Sequence, residues 1–176
     1  MNRERIVVVP YDPDRPRRFE AERALLEGVL APWLEGGIHH VGSTAIPGIA
    51  GKPIIDMMAG VRDFQEARAA FDPLGEESYL YDPHRPGIAH HFAKPSRRLS
   101  EMTHGLHLTE WGTDLWLERL AFRDALRGDP DLAAEYEALK IRLADEHRDD
   151  GRAYTTGKRA FVARVLASAG LQRGRR

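Results

Sequence analysis

The stretch Val41-Gly42-Ser43-Thr44-Ala45-Ile46-Pro47-Gly48-Ile49-Ala50-Gly51-Lys52-Pro53-Ile54-Ile55-Asp56 constrains the fold more than any other part of this chain. It reads as the end of one strand, a tight polar loop and a second strand that carries a carboxylate. Gly42 and Gly48 are placed for positive φ, and Pro47 and Pro53 stiffen the turns around them. Such a loop can present bare N–H groups to an anion. Side chains alternate along a strand, so Ile54, Asp56 and Met58 share one face and Ile55 and Met57 the other. One acid therefore sits in an otherwise apolar strand. The P-loop pattern does not match, because Ile46 and Pro53 stand where it needs a glycine and a hydroxyl residue.

Periodicity places the rest of the chain around this unit. Phe19, Leu25, Leu26, Val29 and Leu30 recur at helical spacing, which predicts a helix after Asp14-Arg15-Pro16 that ends near Leu30. Gly36-Gly37 precedes a strand over 38–41, and a second strand follows over 53–60. A short crossover helix is expected over 63–71. Runs at 78–81 and 88–93, on either side of the turn 82–87, predict a hairpin. A further strand over 102–109 makes a meander attached to the first pair. From Gly112 the apolar period is helical throughout: a helix capped by Thr113 or Asp114, one opened by Asp129-Pro130, and one over 153–169. The expected organisation is a single domain over 1–176, with a sheet-containing core (1–111) and C-terminal helices (112–170). Arg173, Arg175 and Arg176 read as a solvated tail.

The string His40, Val41, Gly42, Ser43, Thr44, Pro47, Gly48, Lys52, Pro53 and Asp56 resembles the hallmark of the GrpB family, also called UPF0157, and its Gly-Ser turn resembles the signature of the nucleotidyltransferase superfamily. Val8-Val9-Pro10-Tyr11-Asp12-Pro13, His104 with His107, Phe122-Arg123-Asp124-x-Leu126-Arg127 and Tyr154-x-x-x-Lys158-x-x-Phe161 extend the likeness along most of the chain. Two positions depart from it: His39 where many relatives carry an acid, and Met58 where a full transferase pair places its second acid. The resemblance implies an α/β (α+β) fold, a nucleotidyltransferase-like small mixed sheet flanked by helices with a helical C-terminal part. It implies binding of a nucleotide or another phosphorylated small molecule with Mg²⁺, and transfer of a nucleotidyl group from a nucleoside triphosphate to a small-molecule acceptor. The alternative is a non-catalytic nucleotide-binding or regulatory module, linked to coenzyme A metabolism through relatives fused to dephospho-CoA kinase.

Nucleotidyl transfer needs the triphosphate charge neutralised and its oxygens positioned, commonly by Mg²⁺ on one or two carboxylates. Asp56 and His107 are the candidate catalytic residues, and Asp56 with Glu110 the candidate metal ligands, since the thioether of Met58 is a poor partner for a hard cation. Gly42, Ser43, Thr44, Lys52, His40, Lys94, Arg98, Tyr154 and Lys158 are the candidates for holding the nucleotide. The plain alternative for Lys94 and Arg98 is a solvated strand end, and for Asp56 a structural ion pair. His39-His40 and His90-His91 point to opposite faces of a strand and cannot chelate one ion together, and zinc-ligand spacings are absent. The net charge of −1 supports no specific nucleic-acid partner, and the absence of cysteine excludes disulfides and thiolate metal sites. No apolar run approaches the ~20 residues that span a bilayer, and Met1-Asn2-Arg3-Glu4-Arg5 lacks the core of a signal peptide. The expectation is a cytoplasmic protein with no membrane partner, its oligomeric state open.

Overall fold

A five-stranded mixed sheet organises the chain in a computed structural model that describes residues 5–83 and 87–171. Its strands are β1 (Leu34–Val41), β2 (Ile55–Val61), β3 (Leu80–Tyr81), β4 (His90–Lys94) and β5 (His104–Glu110), in the spatial order β1-β2-β5-β4-β3. β1 runs antiparallel to β2, β2 parallel to β5, and β5, β4 and β3 form an antiparallel meander. This is the expected attachment of a meander to the first strand pair. Residues 84–86 of the expected turn, Met1 to Glu4, and Arg173, Arg175 and Arg176 lie outside the described residues.

One sheet face is covered by α1 (Arg15–Leu30), a 3-10 stretch (Glu66–Ala70) and α2 (Phe71–Glu76). Phe19, Leu26 and Leu30 of α1 pack there with Ile55, Met57 and Ala59 of β2 and with Phe92, Leu106 and Leu108. Full burial of each Leu or Phe contributes about 1.5–3 kcal/mol, so this face supplies the main apolar drive. The crossover starts one turn later than its pattern suggests. Asp63 accepts hydrogen bonds from the N–H groups of Gln65 and Glu66, and regular helix begins only at Phe71.

The opposite face receives α3 (Asp114–Gly128), α4 (Pro130–Glu146), α5 (Gly151–Gly157) and α6 (Arg159–Ser168). Trp116 of α3 packs on Val41 and Met58, and a β-carbon at Gly60 would lie 2.8 Å from its ring, so glycine there opens the seat for α3. Thr113 does not cap α3 with its side chain; its Oγ1 donates to the carbonyl of Glu110 at 2.7 Å. Asp129 and Asp150 do cap, accepting from Leu132 N and from Arg152 and Ala153 N respectively.

Ile46 and Ile49 of the polar loop insert into the C-terminal helical layer beside Leu126, Ala133, Tyr136, Phe161 and Val165. The helix expected over 153–169 is two helices that meet at Lys158. Gly157 lies so close to Leu143 that a β-carbon would stand 2.5 Å from its Cδ2, which lets α5 fit under α4. The run Ile6 to Val9 makes a single bridge, Val9 to Gly51, and so leads the chain in beside the loop. Among the described residues, no helix is long and apolar enough to cross a membrane.

Candidate functional site

Buried backbone carbonyls need donors, and in this loop they come from side chains distant in sequence. Arg127 Nε donates to Ala45 O at 2.8 Å, Arg123 Nη1 to His40 O at 3.3 Å, and Arg15 Nη1 to Ile49 O at 3.1 Å. α4 grips the residue after Ile49: Lys140 Nζ donates to Ala50 O, and Glu137 accepts from Ala50 N. Gly42 and Gly48 have φ of 71° and 81°, as expected. After Gly42 the 3-10 turn Ser43–Ala45 sends neighbouring side chains in opposite directions. Ser43 Oγ lies 2.6 Å, and Lys140 Nζ 3.5 Å, from where a β-carbon of Gly51 would stand. Thr44 Oγ1 instead shares a 2.9 Å hydrogen bond with His40 Nε2 on the α1 side.

On the Ser43 side the sheet face carries Asp56. Its oxygens lie 2.9 Å and 3.0 Å from the β-carbons that Gly42 and Gly105 lack, with the ε-methyl of Met102 at 2.9 Å from the latter, so the carboxylate sits in space that two glycines leave open. Lys52 and Lys158 both lie against the buried ring of Tyr154, with Nζ 5.1 Å and 4.4 Å from its centroid. The break between α5 and α6 is what brings Lys158 there. Among the described residues, neither lysine has a carboxylate within 4 Å, and Asp56 forms no ion pair within that distance.

Burial dominates the electrostatics of this recess. It pushes the Asp56 carboxyl above the usual range, against the opposing pull of Arg119, Lys52 and Lys158. Burial, with Lys52 nearby, lowers Lys158 to about 8 although Asp56 opposes it. Lys52 is lowered by burial with Asp56 again opposing. Burial and Lys158 bring Lys140 to about 7, and burial followed by Asp56 raises Tyr154 to about 12. His107 stands on the same sheet face, opposite Met58 and two residues beyond the Gly105 that pairs with Asp56. Its ring lies 4.6 Å from that of His91.

The structure therefore gathers Ser43, Gly42, Lys52, Asp56, Tyr154 and Lys158, with His107 on the adjoining strand. It does not gather the other candidates. His40 and Thr44 face a cleft on the opposite side of the turn. Lys94 is a structural cation: its Nζ lies 2.6 Å from Glu22, which also accepts from Tyr79 Oη at 2.8 Å. Burial pushes Glu22 up, but the hydrogen bonds from Lys94 and Tyr79 outweigh it and its pKa falls. Arg98 pairs with Glu101 in an exposed turn, and meets Lys52 only as part of the border of a separate groove. Glu110 pairs with Val61, five residues beyond Asp56 along β2, which is about 16 Å of strand. Its carboxylate accepts from Phe64 N instead.

This arrangement bears on the Mg²⁺ that the resemblance implies. Among the described residues, no three His, Asp or Glu side chains are grouped to hold one ion. Asp56 would be the sole carboxylate, faced by Arg119, Lys52 and Lys158, and Met58 at the second-acid position is fully buried against Val41 and Trp116. A hydrated dication selects several hard oxygen ligands, so this donor set does not fit a resident Mg²⁺. Three cations around the loop and Asp56 were not singled out from the sequence: Arg15 and Lys140, which hold backbone carbonyls, and Arg119, which acts on the Asp56 carboxyl. Arg123 and Arg127 belonged to a helical signature, but nothing in it indicated which backbone they hold.

A family model described as GrpB protein matches residues 5–168. The chain is 34% identical over 170 residues to the glutamate-rich protein GrpB of Alkalihalophilus pseudofirmus, covering 94% of this chain and 97% of that protein. It is 38% identical over 172 residues to a UPF0157 protein of Pseudomonas aeruginosa, covering 94% and 68%. Against the UPF0157 protein YqkA of Bacillus subtilis it is 35% identical over 160 residues, covering 90% of this chain and 45% of that one, so it spans about half of that relative. The fold matches the crystal structure of conserved protein GrpB from Enterococcus faecalis with a TM-score of 0.82 at 28% identity, covering 93% and 96% of the two chains.

Proposed function

The chain belongs to the GrpB family, and from that premise we propose that the recess around Asp56 binds the phosphate groups of a nucleotide or another phosphorylated small molecule. The observation that carries this reading is the pair of partly buried ammonium groups, Lys52 and Lys158, which both lie against the ring of Tyr154 with no carboxylate within 4 Å among the described residues. Charged groups removed from water without a partner cost several kcal/mol, and folds retain them where a ligand completes the charge. A phosphate seated there would meet two ammonium groups and the hydroxyl of Ser43, for which no hydrogen-bond partner is found among the described residues. The protein's own cations would supply the neutralisation that a metal provides elsewhere.

Transfer of a nucleotidyl group is the finer form of this reading. The acceptor hydroxyl would attack the α-phosphorus, its proton would pass to Asp56, and pyrophosphate would leave toward the lysines. The elevated pKa of Asp56 suits a proton acceptor. The burial of Met58 favours the second reading, binding without turnover, because it leaves Asp56 as a single carboxylate.

A panel of nucleoside mono-, di- and triphosphates, each with and without Mg²⁺, tests the proposal by thermal melting. A ligand at 100 times its Kd stabilises by about 2.7 kcal/mol, and ~1 kcal/mol moves Tm by about 2–4 °C at this size, so a true ligand raises Tm by about 5–10 °C. The rise should vanish in the Lys52→Met, Lys158→Met double variant. No rise with any member of the panel overturns the nucleotide form of the reading, and a rise that survives the double variant overturns the assignment of the phosphate site to Lys52 and Lys158. Release of pyrophosphate from a stabilising triphosphate separates transfer from binding alone.

A further inference from the structure

On the other side of the Gly42–Ala45 turn, a cleft of about 490 Å³ is bordered by Tyr11, His40, Thr44, Pro47, Arg123 and Arg127. This volume lies within the range of small-molecule sites. We propose that this cleft is a second ligand site, in which Arg123 and Arg127 bind the oxyanion of a small carboxylate- or phosphate-bearing molecule beside His40. The proposal does not rest on the reading of the Asp56 recess.

Both guanidinium groups are oriented by the loop itself. Arg127 spends Nε on Ala45 O, which leaves both Nη groups of its fork, and among the described residues no carboxylate lies within 4 Å of it. Arg123 spends Nη1 on His40 O and Nε on Asp124. The Asp124 side chain is 59% exposed against 13% for Arg123, so water screens the acid and the less hydrated cation keeps most of its charge. Such a fixed fork matches the planar geometry of a carboxylate or two oxygens of a phosphate. From α1, Glu20 and Arg23 border the cleft; Arg23 bridges Glu20 and Glu27, a solvent-exposed trio of net charge −1 that water screens from the two arginines.

His40 registers the uncompensated field. It is buried, stacked on Phe19 with ring centroids 4.8 Å apart, and bonded to Thr44. Burial, then Arg127, Arg123 and Arg15, lower its pKa to about 4. An oxyanion between the arginines would cancel much of that field. His40 is thus a built-in reporter of occupancy.

The test is an NMR pH titration of the His40 ring in the full chain, with inorganic phosphate and with succinate as separate probes. A bound anion within ~4–6 Å raises a neighbouring pKa by about 1–3 units, so at least one probe should move His40 upward by about one unit or more. Response to phosphate alone marks a phosphate site, and response to succinate alone a carboxylate site. Arg123→Gln and Arg127→Gln, with folding checked by circular dichroism, should each weaken that probe at least about tenfold, the loss expected of one charge-assisted fork. Lys158→Met should leave the response intact, which separates this site from the Asp56 recess. No response to either probe, persistence in both arginine variants, or loss in Lys158→Met overturns the proposal.

Discussion

A β-carbon on Gly42 would stand 2.9 Å from Oδ2 of Asp56, so the turn and the carboxylate coexist only because residue 42 has no side chain. Its backbone, at φ 71° and ψ −171°, lies in a region that is nearly exclusive to glycine and costs other residues about 1–3 kcal/mol. Gly48, at φ 81°, meets nothing within 4 Å of an added β-carbon. Gly48→Ala should therefore cost only the conformational term, about 1–2 kcal/mol. Gly42→Ala should cost visibly more, because the clash with Asp56 adds to it. Guanidinium denaturation of both variants measures the difference, and equal costs would mean that Asp56 can move aside.

Asp56→Asn should keep or raise the ligand-free Tm at pH 7. Burial raises the carboxyl pKa in the folded state, with Arg119, Lys52 and Lys158 offsetting only part of the effect. The native state thus holds the proton more tightly than the unfolded chain, and Asp56's contribution is greatest below the ordinary carboxylate pKa of about 3.9 and is lost as pH rises through the elevated value. An amide avoids that loss. A fall of more than about 4 °C, or ~1 kcal/mol, would identify Asp56 as a structural ion-pair partner.

Lysines with depressed pKa values act in the opposite direction along the pH axis. Lys158 at about 8 and Lys140 at about 7 contribute stability that is present above the unfolded value and lost as pH falls through the folded ones. Denaturation midpoints should rise between pH 6 and 9.5. Above ~10 the buried Tyr154, whose pKa is raised to about 12, reverses the trend by ionising only in the unfolded chain. Lys158→Met should flatten the climb and raise stability at pH 7. Lys140→Met should gain less or lose, since it strips the donor from Ala50 O and an orphaned buried carbonyl costs about 1–3 kcal/mol.

Lys94→Met should destabilise the fold without touching ligand affinity at the Asp56 recess. It would leave Glu22 partly buried beside Tyr79 without its cation. Removal of one partner from a buried pair costs about 3–5 kcal/mol, and the remaining exposure of this pair, 19% and 13%, puts the loss nearer 2–3 kcal/mol. Calorimetry with a ligand from the nucleotide panel checks both halves. A loss of affinity at constant stability would return Lys94 to the site.

What the sequence determined was local. Alternation along β2 assigned Asp56 and Met58 to one face and Ile55 and Met57 to the other, as found. The positive φ at Gly42 and Gly48, the meander and the helix start at Asp129 likewise depend on neighbours a few residues away. The tertiary structure alone decided which charges meet. Lys94 finds Glu22 across 72 residues and Lys140 reaches Ala50 across 90, whereas a lysine on a helix or at a strand end reads locally as solvated. The same holds for Lys158, brought to Asp56 by a helix break under Leu143, and for Glu110, kept from it by the register of β2 and β5. Ser43 and Thr44 are adjacent in sequence, yet one tight turn assigns them to separate clefts, because the packing of α1 and α4 on its two sides gives each hydroxyl a different neighbour.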